Sequence, residues 1–186
     1  MTAKALKIAG LLAMASAFLS LPAAYLSFWL DGQSDKYVNG IQTLIQAVGT
    51  LLFLAIVLNL KRFLNHFYKF HDTDKNIALM VMASMTAGAV VIGMFTFPAL
   101  KESLGSVVIA ILVVQGLVQA QFGYKLLNLP DDLGGVLKPF CYANMATGIL
   151  LVSIILIPIG ILASALADLM LGTIFLNMSK KVQEKN

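Results

Sequence analysis

The sequence predicts an all-α integral membrane protein, a six-span helical bundle built from three hairpins. Composition is the first observation behind this prediction: of 186 residues, 59% are hydrophobic and 12% are charged, with a mean hydropathy of +0.87. Soluble domains carry about 25% charged residues, so this chain has too few charges to cover a water-facing surface of its size. Long apolar runs, the second observation, fill most of the chain, as they do in polytopic membrane proteins.

A motif that occurs twice is the third observation. Residues 83–88 read Ala-Ser-Met-Thr-Ala-Gly and residues 143–148 read Ala-Asn-Met-Ala-Thr-Gly, and Pro98 and Pro158 follow the two glycines at the same separation. Repeats are stronger fold signals than single motifs. We therefore expect the second and third hairpins to be related by an internal repeat. Because both copies run in the same direction, inverted transporter repeats are not indicated.

The apolar runs predict six spans within a single transmembrane domain that covers residues 1–186. The spans are expected at residues 5–30, 38–60, 76–97, 104–127, 139–157 and 159–178. The last apolar stretch, residues 138–178, would be about 60 Å long as one helix, whereas the hydrocarbon core is about 30 Å thick. A turn is therefore expected near Pro158 and Gly160. The first run lacks a clean small-x-small cleavage pattern, so we expect an uncleaved span rather than a signal peptide.

The basic residues predict an orientation. With six spans, Lys36 and Lys101 fall on one side, and all other basic residues fall on the opposite side: Lys4, Lys7, Lys61, Arg62, Lys69, Lys75, Lys125, Lys138, Lys180, Lys181 and Lys185. The positive-inside rule then places both termini in the cytoplasm. Short loops and the lack of sorting signals favour a bacterial inner membrane. Anionic lipids at the inner face account for the basic rim, at about 1 kcal/mol per nearby lysine, so no nucleic-acid partner is expected.

Asp168 is the one formal charge that the span assignment puts deep in the membrane. An ionised aspartate there would cost about 2.5–3.5 kcal/mol on insertion scales. It belongs to a stripe at four-residue spacing, formed by Gly160, Ser164, Asp168 and Gly172, and small residues at this spacing let helices approach closely. Two interpretations stay open: a proton, cation or ligand site, and a hydrogen-bonding residue between helices.

Other polar side chains of the spans form pairs that share a helix face. Gln42 and Gln46 lie four residues apart in span two, Gln115 and Gln119 do so in span four, and Asn144 lies in span five. Together with the carboxylate of span six they would form a ligand or proton site if they met in one cavity. Interhelical hydrogen bonding, worth about 0.6 kcal/mol per contact, is the favoured alternative.

The loop between spans two and three holds both histidines. His66, His71, Asp72 and Asp74 include the residue types that bind transition metals, but their spacing fits no closed metal site. We expect a solvated loop and no metal. Neither histidine lies in a span, which argues against haem, and no cofactor is expected.

Span one carries a ladder of small residues at four-residue spacing: Ala5, Ala9, Ala13 and Ala17. Such a face suits close packing against another helix, in this chain or in a partner subunit. The layout is similar to that of the vitamin-binding subunits of energy-coupling transporters in its six spans, its length and its early alanine ladder. This resemblance implies a small-solute transport role.

The sequence contains no phosphate-binding glycine loop, no His-Glu-x-x-His and no Gly-x-Ser-x-Gly, so no enzymatic activity is expected. The favoured function is an accessory or partner-binding membrane subunit, which packs against another membrane protein, itself or lipid. The alternative is a small-solute transporter or its substrate-binding subunit with an intramembrane site around Asp168; a membrane enzyme using Asp168 ranks third. A transporter requires the polar residues to converge on one cavity, whereas an accessory subunit requires them to pair off.

Overall fold

The computed structural model describes residues 1–30, 36–97, 99 and 101–184, and the regular structure in these ranges is entirely helical. The described part contains six α-helices: α1 (Ala3–Leu30), α2 (Lys36–Phe63), α3 (Asp74–Thr96), α4 (Lys101–Leu126), α5 (Leu137–Val152) and α6 (Ile157–Gln183). A π-helical turn, Leu64–Tyr68, continues α2. The prediction of an all-helical chain is confirmed.

Five of these helices, α1, α2, α3, α4 and α6, are long and apolar enough to cross a membrane. They identify a multi-pass membrane protein. α5 is shorter than the predicted span, because it has 16 residues and is therefore about 24 Å long, less than the hydrocarbon core of about 30 Å.

The chain turns between α5 and α6 earlier than predicted. α5 ends at Val152, and the connection includes Ile154, whose φ of 58° lies in the left-handed region. Pro158 is in the first turn of α6. Proline suits this position because its missing N–H would have no partner within the helix there. Pro158 thus lies at the beginning of a helix and not in the predicted turn.

The helices form a closed ring in which each packs against its neighbours in sequence and α1 packs against α6. The most extensive contacts join α1 to α6 and α4 to α5, not the members of the three predicted hairpins. Paired glycines explain this. A Cβ placed on Gly172 would lie 3.1 Å from the carbonyl oxygen of Gly10, and one on Gly116 would lie 2.6 Å from that of Gly148. At these crossings the backbones touch directly.

The internal repeat is not confirmed. The helices that contain its two copies differ in length, with 23 residues in α3 and 16 in α5. Pro98, which ends the first copy, lies outside the described residues, as do residues 31–35 of the loop expected after span one and Lys185.

The largest buried side chains cluster where α1 begins and α6 ends. Phe63, Phe122 and Phe175 are fully buried there, and the rings of Phe63 and Phe175 meet edge to face with centroids 5.4 Å apart. Residues 65–75 were predicted to be a solvated loop. The first of them belong to the π-helical turn, and the side chains of Phe70 and Thr73 are buried. We call this end of the bundle the basic end, because it carries Lys4, Lys7, Lys61, Arg62, Lys69, Lys75, Lys125, Lys138, Lys180 and Lys181.

Candidate functional site

Asp168 lies between α6 and α1, next to the crossing of Gly10 and Gly172. Its Oδ2 accepts a hydrogen bond of 2.8 Å from the Ser16 hydroxyl. Asp168 forms no ion pair with any residue that the structure describes. A single hydroxyl donor joins the two helices at this point. Ser16 was not singled out from the sequence; its only signal is a small polar residue beside the alanine ladder.

Gln119 and Asn144 meet in the interface of α4 and α5, where both are buried. The Gln119 amide Nε2 donates to Asn144 Oδ1 at 3.4 Å, and Asn144 Nδ2 donates to the carbonyl oxygen of Phe140 at 2.9 Å. Gln115 is half-buried one turn away on α4. One hydrogen bond therefore joins the two buried amides, and a second ties Asn144 to the backbone of α5.

Gln42 and Gln46 lie at the other end of the bundle. Gln46 Nε2 donates to Thr50 Oγ1, one turn along α2, at 3.4 Å. The two glutamines, with Ser27 and Phe28 of α1 and Val91 and Phe95 of α3, line a pocket of about 240 Å³. Among described residues α2 contacts α1, α3 and the π-helical turn, whereas α4 contacts α3 and α5. The glutamine pairs of α2 and α4 thus occupy different interfaces, as does Asp168.

A polar cluster at the basic end was missed from the sequence. Asn76 is buried in α3. Its Nδ2 donates to Gln121 Oε1 at 2.8 Å and to the Val118 carbonyl oxygen at 3.3 Å, while Lys125 Nζ donates to Asn76 Oδ1 at 2.9 Å. The spacing of Gln121 and Lys125 on one face of α4 was a signal for this cluster, but Asn76 looked like an ordinary span boundary.

The histidine-containing segment forms a corner between α2 and α3. Asp74 accepts hydrogen bonds from Asn65 Nδ2 at 3.1 and 3.3 Å, and His71 Nδ1 lies 3.0 Å from its Oδ2. Lys61 Nζ is 3.8 Å from Asp74 Oδ1, and His66 is exposed. Within the ranges the structure describes, no group of three or more His, Cys, Asp or Glu side chains is arranged to hold a metal ion.

The small residues predicted to pack helices lie mostly inside the bundle. Ala9 and Ala13 are fully buried and Ala17 nearly so, while Ala5 lines a groove between α1 and α2. On α6, a Cβ added to Gly160 would lie 3.3 Å from Leu150 of α5, and Ser164 is half-buried. The alanine ladder belongs to a helix whose neighbours, in the part described, are α2 and α6 of the same chain.

One apolar groove of about 540 Å³ lies between α3 and α4. We call it the α3–α4 groove; it is lined by Leu79, Met82, Ala83, Thr86, Ser106, Val107, Ala110, Ile111 and Val114. None of these side chains is charged. The Thr86 hydroxyl donates to the Met82 carbonyl oxygen at 2.9 Å, so it places no unpaired donor in the groove. The sequence offered no direct signal for the groove, because it forms only once the two helices are side by side.

No known protein family, curated protein or solved structure matches this chain.

Asp168→Asn is expected to leave the fold and thermal stability nearly unchanged. An asparagine oxygen accepts the same hydrogen bond from Ser16 and carries no charge to desolvate, and interhelical hydrogen bonds of this kind are worth about 0.6 kcal/mol. The measurement is the thermal midpoint of the purified protein in detergent. It is compared with the midpoint of Ser16→Ala, which removes the hydroxyl donor of the same hydrogen bond. A large fall in the midpoint of Asp168→Asn would contradict this expectation. A proton or cation site makes a separate prediction: Asp168→Asn would stay folded but lose activity in a proteoliposome transport assay.

Proposed function

We propose that this protein is a non-enzymatic accessory subunit that binds a transmembrane helix of a second membrane protein in the α3–α4 groove. The observation that carries the proposal is the groove itself, an apolar concavity on the outside of the bundle whose lining includes the small residues Ala83, Ser106 and Ala110. The pairing of polar residues supports it, because Asp168 binds Ser16 and Gln119 binds Asn144. These groups stabilise the bundle from within, so we place the partner-binding site on its outer surface.

The shape of the groove suits the packing of another α-helix. Leu79, Met82, Ala83 and Thr86 follow the spacing of one helix face, and the lining residues of α4 do the same. They extend over about two turns, or roughly 10 Å. Small residues at such positions let a third helix approach closely, which is how helices associate where lipid removes the hydrophobic driving force.

The walls of the α3–α4 groove hold bulky and small side chains side by side. Its exposed positions are Leu79, Met82, Val107 and Val114 together with the smaller Thr86, Ser106 and Ala110. Lipid contact alone does not require small residues, whereas small residues favour the close approach of another helix.

A second copy of this chain fits the groove less well than a different protein. A closed two-fold dimer places the same patch of both subunits face to face, and two concave grooves do not interlock. Insertion of a different helix of the same chain would be a heterologous contact, which produces rings or open chains. A convex helix of another membrane protein avoids both problems.

The partner is expected in the same membrane, which we propose is a bacterial inner membrane with the basic end in the cytoplasm. This orientation requires six crossings. Contacts between α4 and α5 support α5 as the sixth crossing. Gly123 approaches Cys141, and Gly116 approaches Gly148. α5 is thus antiparallel to α4 and carries the chain to the opposite end.

The second candidate function is a small-solute transporter, which the pocket around Gln42 and Gln46 favours. Its volume of about 240 Å³ is below the roughly 300–1,000 Å³ of typical ligand sites. Asp168 is not among its lining residues. A bound small molecule in the purified protein, lost in Gln42→Leu, would support this function over partner binding.

Ala110→Trp tests the partner-binding proposal, because an indole fills the groove from an exposed position without entering the core. We expect partner affinity to fall roughly tenfold or more, since overpacking an interface costs about 1–3 kcal/mol. A photoreactive amino acid at Met82, in the groove, should cross-link one polypeptide of fixed mass in native membranes, and Ala110→Trp should abolish that product.

Leu51→Trp is the matched control, because it adds the same side chain to the exposed surface of α2. It is expected to leave the cross-link intact. Cross-linking of lipid alone, or a dimer of this chain as the only product, contradicts the proposal, as does a product that survives Ala110→Trp.

A further inference from the structure

The groove between α1 and α2 at the basic end has a volume of about 810 Å³, within the roughly 300–1,000 Å³ of typical ligand sites. We propose that it binds one phospholipid with an anionic headgroup. Its wall combines cations and polar groups with apolar side chains: Thr2, which precedes α1, Ala5 from α1, and Leu58, Asn59, Lys61 and Arg62 from α2. It is separate from the α3–α4 groove.

Two cationic side chains, Lys61 and Arg62, line this groove. Arg62 is exposed and forms no ion pair with any described residue, so its guanidinium can bind two phosphate oxygens at once. Lys61 also lines the groove; its Nζ lies 3.8 Å from Asp74 Oδ1, which offsets part of its positive charge. The Thr2 hydroxyl oxygen accepts from the Ala5 amide at 3.3 Å, which leaves its proton for an oxygen of the headgroup.

The rest of the groove suits acyl chains. Ala5 and Leu58 continue the wall from the cations towards the apolar middle of the bundle, and further along α2 the exposed face includes Leu51. Among the neighbouring helix pairs of the described ring, α1 and α2 make the least extensive contact. A lipid can therefore lie between them with its phosphate at the level of Lys61 and Arg62.

Charge and apolar depth together select the occupant. A free phosphate ester would use the cations alone, and a zwitterionic lipid would use the apolar wall but bring a cationic group towards Arg62. Only a lipid with an anionic headgroup satisfies both parts of the groove. Each basic residue near an anionic headgroup raises affinity about fivefold.

The test is native mass spectrometry of the full-length protein in neutral detergent, titrated with phosphatidylglycerol or with phosphatidylcholine of identical chains. We expect one phosphatidylglycerol to bind in preference to phosphatidylcholine. Arg62→Gln should weaken the first lipid about fivefold, and Lys61→Gln with Arg62→Gln up to roughly 30-fold. Phosphatidylcholine binding should change little.

Lys138→Gln with Lys180→Gln is the charge-matched control, because both lysines are exposed at the basic end but outside this groove. It should retain the preference. Equal loss in the control and the double variant would show a diffuse surface-charge effect and overturn the proposal. Displacement of the lipid by equimolar glycerol 3-phosphate would overturn it too, because the acyl chains would then be unnecessary. Arg62→Gln alone keeps the test decisive if the double variant does not fold.

Discussion

Gly148→Ala is expected to separate α4 from α5 and to lower the thermal midpoint of the protein steeply. A Cβ at this position would collide with the carbonyl oxygen of Gly116 and would lie 2.6 Å from the backbone nitrogen of Ala120. These atoms are backbone, so no side chain can swing aside and the whole helix must move. Overpacking costs about 1–3 kcal/mol and occasionally more, whereas the intrinsic helix preference for alanine returns only about 1 kcal/mol.

Gly105→Ala, in α4, is the matched control, because a Cβ there meets nothing within 4 Å. This variant should be as stable as the parent or slightly more so. The measurement is thermal unfolding in detergent, followed by circular dichroism and by the fraction that stays monodisperse. Equal midpoints for Gly148→Ala and Gly105→Ala would contradict the close backbone contact between α4 and α5.

Asn76→Leu is expected to give the second large loss of stability. The substitution removes the acceptor of the Lys125 ammonium, which donates to Asn76 Oδ1 at 2.9 Å, and the donor to Gln121 Oε1 at 2.8 Å. Lys125 is half-buried, so water replaces the lost partner only in part. Leaving a buried polar group unsatisfied costs about 1–3 kcal/mol, and more for a charged one.

Two further variants test this explanation. Asn128→Leu changes an exposed asparagine in the α4–α5 connection and should have little effect on the thermal midpoint. Adding Lys125→Met to Asn76→Leu should recover part of the stability, because removing both partners leaves no unpaired charge. If Asn128→Leu is as damaging as Asn76→Leu, the effect comes from added apolar surface and the cluster is not responsible.

The helices were predictable from the sequence because membrane crossing imposes a local requirement on length and hydropathy. A run such as α6 satisfies that requirement by itself. Pro158 was misread because proline both ends helices and begins them, and the sequence does not distinguish the two roles within a continuous apolar run. The shorter α5 follows from the same earlier turn.

Packing was less predictable, because it depends on residues far apart in the chain. The stripe that contains Gly172 was recognised, but its contact with Gly10 joins the two ends of the sequence. The partners of Asp168 and Gln119 depend in the same way on which helices are adjacent, as does the α3–α4 groove. Ser16 and Asn76 escaped notice because single polar residues are informative only when their neighbours in space are known.

The most direct test of the partner-binding account is native mass spectrometry of the protein extracted gently from its own membrane, for the parent and for Ala110→Trp. The account predicts a second polypeptide at fixed stoichiometry with the parent and its loss from the variant, while the variant remains folded. A small molecule bound at fixed stoichiometry with no second polypeptide would contradict the account and favour transport. A partner that stays bound to Ala110→Trp would contradict the assignment of the groove.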